Sequence, residues 1–277
     1  MVYVVLNFKG GVGKSTLASN LIPEYILQKG KQKAIKLFEF DEYSQTSKDY
    51  LKNSELIEST IISEEEIERK ILDIQFYART EELILDVGPG PLVDKIITVA
   101  NNSINFTDKL IFLIPYSDDA PLALLNTIKL IEETINNPKI LVILNKIPNS
   151  GFKVKQTKKN TISLYGNEKS GTNPYKYLDK IDRYIRASVP YDHDIFTFAK
   201  AYKTSLVDLK KTYLVFKDIT PDKLENIWRA NANIKGESLT KDELIYNFFA
   251  IRGHLKATNF LNACSEFYEV LKNLENN

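Results

Sequence analysis

"NFKGGVGKST", Asn7 to Thr16, is the stretch that indicates which fold this chain adopts. It follows a short apolar run that begins at Val2, and it places three glycines directly before Lys-Ser-Thr. Glycines in such a turn allow backbone N–H groups to surround a phosphate, and a helix that begins after them directs its positive end at the same point. Lys14 adds a mobile positive charge, and Ser15 offers a hydroxyl to Mg²⁺. The stretch therefore predicts a phosphate-binding loop between a strand and a helix.

The loop departs from the strict pattern G-x-x-x-x-G-K-[ST] at one position. Phe8 stands where the first glycine is expected, and an additional lysine, Lys9, follows it. We expect the Lys9 side chain to point away from its own glycine turn, so that it can reach the nucleotide of a second molecule. Positive charge supplied in this way near a γ-phosphate accelerates phosphoryl transfer. A surface lysine before a glycine turn is the alternative, and spacing alone favours it.

Apolar runs recur along the chain and are separated by helical patterns. Because these runs lack polar alternation, they are typical of strands buried on both faces of a parallel sheet. The helices between them favour the same arrangement. The sequence predicts an α/β fold with a doubly wound, mainly parallel β-sheet flanked by helices, and six strands beginning near Val2, Lys33, Glu82, Lys109, Lys139 and Tyr184.

Two sheet-covering helices can be placed from the spacing of their apolar residues. The first follows the glycine loop, should be kinked or broken at Pro23, and should end near Gly30. The second is predicted over Pro121 to Ile135, where leucine and isoleucine recur at helical spacing.

Two further segments lie outside the alternation of strands and helices. Residues 150–173 are polar, rich in lysine and nearly without periodicity, and they predict a surface excursion. Residues 219–277 predict a helical C-terminal extension, because Thr220-Pro221 and the pair Thr240 and Glu243 are typical helix starts. Residues 1–277 are interpreted as one domain that includes both segments.

Composition limits the possible classes of protein. A formal net charge of +1 provides no general attraction for nucleic acid or acidic lipid, so any such contact requires a local patch. One cysteine, Cys264, excludes an intramolecular disulfide, a cysteine-rich zinc site and an iron–sulfur cluster ligated by cysteines of one chain. No apolar run reaches the roughly 18 to 20 residues that cross a bilayer, and the opening run does not resemble a signal peptide. We expect a soluble, cytoplasmic protein.

Polar residues follow four of the predicted strands, at ends that meet along one edge of a parallel sheet. They are the glycine loop, Asp41, Asp86 and Asn145-Lys146. Asp86 closes the run ELILD and suits the acid that holds the water shell of a metal ion beside a phosphate-binding loop. The sequence VGPG that follows is typical of a segment that changes conformation with a γ-phosphate.

The motif KGGVGKST, Lys9 to Thr16, resembles the deviant Walker A motif of the ParA/MinD superfamily of P-loop ATPases, in which the additional lysine is the defining residue. LILDVGPG is similar to the family's Walker B and switch segment, VILNKIPN to the strand whose Asn-Lys borders the base, and ASVPYDHDIF to a late loop over adenine. Two segments depart from the family: Glu39-Phe40-Asp41-Glu42 replaces D-x-D-P-Q, and Asp86 to Gly90 replaces D-T-P-P-G.

The resemblance implies a slow Mg²⁺-dependent ATPase, converting ATP to ADP and phosphate, that dimerises around two ATP–Mg²⁺ and is stimulated by a partner protein. Lys9 would reach the phosphates of the other chain, Lys14 would bind those of its own chain, and Asp41 would orient the attacking water. Mg²⁺ would be held, partly through water, by Ser15, Asp41 and Asp86. The nucleotide would contact Gly10, Gly11, Val12, Gly13, Lys14, Ser15, Thr16, Asn145, Lys146 and Pro190.

The remaining sequence narrows the choice within the superfamily. Nitrogenase iron protein, iron–sulfur carrier ATPases and arsenite-pump ATPases require cysteines, whereas Cys264 lies in an apolar helical pattern and is interpreted as a core residue. A MinD-like membrane helix would be basic, whereas the final stretch carries Glu266, Glu269 and Glu275 against Lys272. We expect no membrane partner.

The chain most resembles the small ParA-type partition ATPases, since we expect no DNA-reading domain ahead of Val2. Such a protein binds DNA non-specifically as the ATP dimer, associates with the nucleoid, and drives plasmid or chromosome segregation with a centromere-binding, ParB-like adaptor. Candidate DNA contacts are Lys153, Lys155, Lys158, Lys159, Lys210, Lys211 and Lys217. The alternative is a MinD/ParA-like localisation ATPase that positions a secretion, pilus or division machine through protein contacts and without DNA.

Overall fold

One parallel sheet forms the centre of the protein. A computed structural model describes residues 1–30, 34–40, 50–103, 106–145, 154–190 and 192–276. The sheet contains seven strands, which are β1 (Val2–Val5), β2 (Ile35–Phe40), β3 (Ile57–Ile61), β4 (Leu83–Val87), β5 (Leu110–Tyr116), β6 (Lys139–Asn145) and β7 (Ile185–Val189). Their order is β3-β2-β4-β1-β5-β6-β7, and every pairing is parallel. The predicted α/β fold class is confirmed.

Thirteen α-helices lie among the described residues. They are α1 (Lys14–Thr16), α2 (Ile22–Gln28), α3 (Ile67–Tyr77), α4 (Pro91–Asn101), α5 (Pro121–Thr134), α6 (Val154–Asn160), α7 (Ile162–Tyr165), α8 (Leu178–Asp182), α9 (His193–Ala201), α10 (Leu206–Phe216), α11 (Pro221–Ile234), α12 (Lys241–Ala263) and α13 (Ser265–Asn276). A π-helical segment (Leu17–Leu21) joins α1 to α2, and 3₁₀ turns occupy Glu64–Glu66, Thr107–Lys109 and Glu168–Ser170.

The helices cover both faces of the sheet, which explains the continuous apolar runs of the strands. Val2 and Val4 of β1 pack into one core with α3, α4 and α5. Tyr3 and Val5 of the same strand pack into the opposite core with α2, α10 and α13. Because successive side chains of a strand point to opposite faces, a strand buried on both sides must be apolar at every position.

The edge strand β3 was not predicted. Its residues alternate in burial, with Glu58 and Thr60 exposed and Ile57 buried in a core, because one face of this edge strand is covered and the other faces solvent. The short polar pattern IESTI therefore lacks the continuous apolar character that identified the six other strands.

The helix after the loop changes geometry where Pro23 was expected to break it. The N–H of Ile22 donates to the carbonyl of Leu17, five residues earlier, and α2 begins there with proline in its first turn. Pro23 has no N–H to continue the ladder, so the break takes the form of a π-helical turn. The helix ends before Gly30, whose φ of +66° suits glycine, as predicted.

The predicted C-terminal helical extension is confirmed, and its last helix is part of the core. Phe267 and Leu271 of α13 are buried against the sheet. Near the amino ends of the strands, Lys29 Nζ lies 2.8 Å from Glu82 and 2.6 Å from Glu275. This ion-pair cluster attaches the end of α13 to the sheet.

The described part of the 150–173 segment contains more structure than we predicted. It forms α6 and α7, and Leu164 is fully buried in the core beside α5. Asp118 accepts hydrogen bonds from the N–H groups of Ile162 and Ser163, at 3.0 and 2.9 Å, and so attaches the start of α7 to the end of β5. Helices this short show no periodicity in a sequence.

Across the described residues, no helix combines the length and apolar character needed to cross a membrane.

Candidate phosphate-binding site

The glycine loop lies at the carboxyl end of the central strand. β1 is flanked by β4 and β5, and the chain turns through residues 8–13 before α1 begins at Lys14. Gly11 and Gly13 have φ values of +75° and +97°, which other residues adopt only with strain. The N–H of Leu17 donates to the carbonyl of Gly13 at 3.0 Å, so the helix begins immediately after the turn. The predicted order of strand, glycine turn and helix is present.

Lys14 lies inside the turn. Its side chain is almost completely buried, and Nζ donates to the backbone carbonyls of Lys9 at 3.0 Å and Asn7 at 3.3 Å. A buried ammonium group is costly unless hydrogen bonds compensate for lost water, and these carbonyls supply them. The charge is thereby held at the concave side of a loop whose glycines would face a phosphate.

Two residues that were not predicted hold the loop in place. Asn7 is buried, donates from Nδ2 to the carbonyl of Pro115 at 2.9 Å, and accepts at Oδ1 from the N–H of Lys9 at 2.9 Å. The buried hydroxyl of Thr127 on α5 accepts from the N–H of Phe8 at 3.2 Å. Phe8 is therefore fixed through its backbone, which makes a glycine at this position unnecessary.

Lys9 lies on the surface of the site. Its side chain is 45% exposed, and Nζ is 3.9 Å from Asp119, a residue that follows β5 and is itself exposed. Whereas the ammonium of Lys14 is held by the loop backbone, that of Lys9 faces solvent beside a weak ion-pair partner. The two lysines of the motif thus occupy different environments.

Buried acidic residues lie beside the loop on two neighbouring strands. Asp86 on β4 is in register with Val5 of β1 and with Glu39 of β2, and Asp86 and Glu39 are 3% and 1% exposed. The expected acid Asp41 falls outside the described residues, two positions beyond Glu39. The described residues hold no cluster of three or more His, Cys, Asp or Glu residues suited to a metal. The hydroxyl of Ser15 and a carboxylate at Asp86 are nevertheless the hard oxygen donors that Mg²⁺ takes with water.

The segment that follows Asp86 contacts the loop directly. The N–H of Gly90 donates to the carbonyl of Phe8 at 3.3 Å, and the N–H of Gly88 donates to the carbonyl of Phe40 at 2.8 Å. A Cβ atom at Gly10 would lie 3.8 Å from Pro89 Cγ, an ordinary packing distance. Residues 88–90 therefore connect the ends of β2 and β4 to the loop.

The predicted base-binding residues are described in part. Asn145 at the end of β6 is buried and donates from Nδ2 to the carbonyl of Val12 at 2.9 Å, so it supports the loop. Lys146 falls outside the described residues. Pro190 follows β7, which pairs with β6, and is partly buried.

Asn20 connects the loop helix to the C-terminal half of the chain. Its Nδ2 donates to the carbonyl of Thr16 at 3.0 Å, and its Oδ1 accepts from the N–H of Leu206 at 2.9 Å and from Tyr50 at 3.3 Å. Burial raises the pKa of Tyr50 to about 12, so its hydroxyl keeps the proton that it donates. The sequence contained no signal for this link. The π-helical turn brings Asn20 against the start of α10, which is far from it in the sequence.

Several candidate DNA-binding lysines are engaged in ion pairs. Lys158 lies 2.6 Å from Asp182, Lys210 lies 2.5 Å from Glu24, and Lys211 lies 2.8 Å from Glu55. The pair between Lys217 and Asp218 is long, at 4.0 Å. Lys155 is exposed, Lys153 falls outside the described residues, and nothing is described of the Lys159 side chain. Of the candidates whose side chains are described, Lys158, Lys210 and Lys211 are therefore close to carboxylates.

No protein-family model matches this chain, and no curated protein is significantly similar to it.

Proposed function

We propose that this protein is a Mg²⁺-dependent P-loop ATPase that acts as a nucleotide-dependent dimer. The observation that carries the proposal is the buried ammonium of Lys14, held by carbonyls of residues 7 and 9 inside a turn in which Gly11 and Gly13 have positive φ. A closed backbone turn with an internal cation and a helix start is suited to a chain of phosphates.

Each part of the loop has a defined task in this proposal. The N–H groups of residues 10–15 bind phosphate oxygens, and Lys14 exchanges its backbone carbonyls for the β- and γ-phosphates. Ser15 and Asp86 would hold Mg²⁺, which when bound would supply positive charge beside these phosphates. The N–H of Gly90 donates to the carbonyl of Phe8 in the loop, which supports a response of residues 88–90 to the γ-phosphate.

The environment of Lys9 supports the proposed dimer. Its backbone belongs to the loop, whereas its ammonium is exposed and, among the residues that the structure describes, has one weak ion pair, with Asp119. A cation at this position is available to the nucleotide of a second chain, where it stabilises the charge of the transition state. The role of Asp41 in orienting water stays a prediction from the sequence.

The paired lysines favour the second of the two cellular roles. Non-specific DNA binding requires cations that contact phosphates, and Lys158, Lys210 and Lys211 already face carboxylates. We therefore propose that a localisation ATPase, stimulated by a protein partner, suits this surface better than a DNA-partition ATPase. A gel-shift assay with ATP and with ADP separates the roles, since a salt-sensitive shift that requires ATP would support partition.

The test of the ATPase itself uses Lys14→Ala. The affinity for a fluorescent ATP analogue with Mg²⁺ should fall at least about 100-fold, or about 2.8 kcal/mol, because the internal charge is lost. Lys95→Ala, at an exposed lysine paired with Glu64, is the matched control and should bind like the wild type. Phosphate release by the wild type should be slow but measurable. Absence of ATP binding by the wild type, or equal binding by Lys14→Ala, would overturn the proposal.

A further inference from the structure

A groove of about 560 Å³ lies between α9 and α12, two helices far apart in the sequence. Its lining is mainly apolar and aromatic. The lining residues are Asp194, Ile195, Phe198, Ala201, Tyr202, Tyr246, Phe249, Ala250, Arg252, Gly253 and Lys256. None of them belongs to the phosphate-binding site.

A close approach between helices forms the floor of the groove. A Cβ atom at Gly253 would lie 2.3 Å from the tip of the Phe198 ring, so the ring sits directly on the backbone of α12. Phe198 packs against Tyr202 with ring centroids 4.6 Å apart, and the Tyr202 hydroxyl donates to that of Tyr246 at 3.2 Å. These contacts hold the floor in a fixed shape, which lowers the entropic cost of binding.

Two aromatic side chains of the groove lining are largely exposed to solvent. Tyr246 and Phe249 are each 63% exposed and lie three residues apart, on one face of α12. Contiguous aromatic surface of this kind is uncommon on a monomer unless a partner covers it. Tyrosine and phenylalanine are also enriched at the centres of protein interfaces.

The charge of the groove indicates the chemistry of its partner. Arg252 and Lys256 lie four residues apart on α12, and neither forms an ion pair within the part of the chain that the structure describes. Asp194 is the one acidic residue of the lining, so the lining carries one net positive charge. A ligand with carboxylates next to its apolar surface would complement two adjacent cations.

We propose that this groove binds an amphipathic helix of a partner protein, with apolar anchors on one face and Asp or Glu residues beside them. A groove between two helices accepts the apolar face of a third helix, whose anchors recur at i, i+3 or i+4, and i+7. Phe249 and Tyr246 contact these anchors, and Arg252 and Lys256 contact the acids. This interaction does not depend on nucleotide binding.

A selection from a displayed library of helical peptides tests the proposal. Bait protein carrying Lys14→Ala, without nucleotide, keeps the result independent of the ATPase. Enriched peptides should carry Leu, Ile, Phe or Trp at helical spacing together with Asp or Glu. A synthetic copy of the most enriched peptide, labelled with fluorescein, is then titrated by fluorescence anisotropy.

Paired substitutions locate the binding site. Phe249→Ser should weaken the peptide about tenfold or more, as expected for an anchor contact. Phe76→Ser is its matched control, because Phe76 is 66% exposed on α3, and it should leave affinity within about twofold. Arg252→Glu should weaken acidic peptides, whereas Arg69→Glu on α3 should not. Circular dichroism and thermal melting verify that each variant is folded.

The selection also distinguishes other occupants. A library that yields no binder, peptides unaffected by Phe249→Ser, or enrichment of basic peptides would overturn the proposal. Sedimentation on vesicles of phosphatidylglycerol and phosphatidylcholine that is lost with Arg252→Glu would assign the groove to a membrane instead. Self-association that is lost with Phe249→Ser would assign it to a second copy of this chain.

Discussion

The phosphate-binding loop and the groove between α9 and α12 are built in opposite ways. The loop is a backbone structure: Gly11 and Gly13 have positive φ values, and the hydrogen bonds of Lys14 go to main-chain carbonyls. The groove consists of side chains from two helices, and its floor forms where the Phe198 ring packs on the backbone at Gly253. A site made by the backbone requires particular residues at fixed spacing, whereas a groove made by packing requires only suitable shapes. The phosphate-binding loop can therefore be predicted from the sequence, whereas the groove cannot.

This contrast predicts that function and stability can be altered separately. Substitutions at buried positions of the C-terminal helices should lower stability and leave nucleotide affinity nearly unchanged, whereas substitutions around the loop should alter nucleotide binding or nucleotide-dependent association. Three variants test this separation, from the largest expected effect to the smallest.

Phe267→Ala should have the largest effect. Phe267 on α13 is 1% exposed, and truncating a buried phenylalanine typically costs about 3 to 5 kcal/mol of unfolding free energy. Urea denaturation measures the loss, with Phe249→Ala on the exposed face of α12 as the control. Nucleotide affinity of the folded protein should stay within about twofold of the wild type. A loss below about 1 kcal/mol would show that α13 is not part of the cooperative core.

The thiol of Cys264 provides a second readout of the same variant. Burial raises the pKa of this thiol to about 12, so it stays protonated and unreactive in the folded protein at pH 8. Labelling by a thiol reagent should therefore follow unfolding and should be faster in Phe267→Ala. Rapid labelling of the folded wild type would contradict the buried position of Cys264.

Thr127→Val should have an intermediate effect, located at the loop. The change keeps the shape of the side chain but removes the hydroxyl that accepts from the N–H of Phe8. An unsatisfied buried N–H group costs about 1 to 3 kcal/mol, and we expect part of this cost to appear as weaker ATP binding. Calorimetric titration with ATP measures it, and Thr98→Val on the exposed face of α4 is the control. Unchanged affinity would show that the loop does not need this support.

Asp119→Asn should have the smallest effect. The pair with Lys9 is long and exposed, so its loss should change the unfolding free energy by less than about 0.5 kcal/mol. Asp119 is the one carboxylate that pairs with Lys9 among the residues that the structure describes. Because the substitution frees Lys9 from this pair, nucleotide-dependent association should be equal to or slightly stronger than that of the wild type. Weaker association would show that Asp119 itself takes part in the dimer contact.

Much of the fold and part of the site could be predicted from the sequence. Continuous apolar runs identified six strands, whereas β3 was missed because Glu58 and Thr60 interrupt its pattern. The glycine spacing identified the loop. Asn7, Thr127 and Asn20 could not be predicted as supports, because their roles depend on tertiary contacts with Pro115, Phe8 and Leu206.

Sedimentation velocity of the wild type and Lys9→Ala, each with ATP and Mg²⁺, with ADP, and without nucleotide, tests the nucleotide-dependent dimer most directly. We expect a wild-type dimer with ATP only, and a Lys9→Ala variant that binds ATP but stays monomeric. Lys95→Ala serves as the control and should dimerise like the wild type. A wild type that stays monomeric with ATP, or a Lys9→Ala variant that dimerises normally, would contradict the proposal.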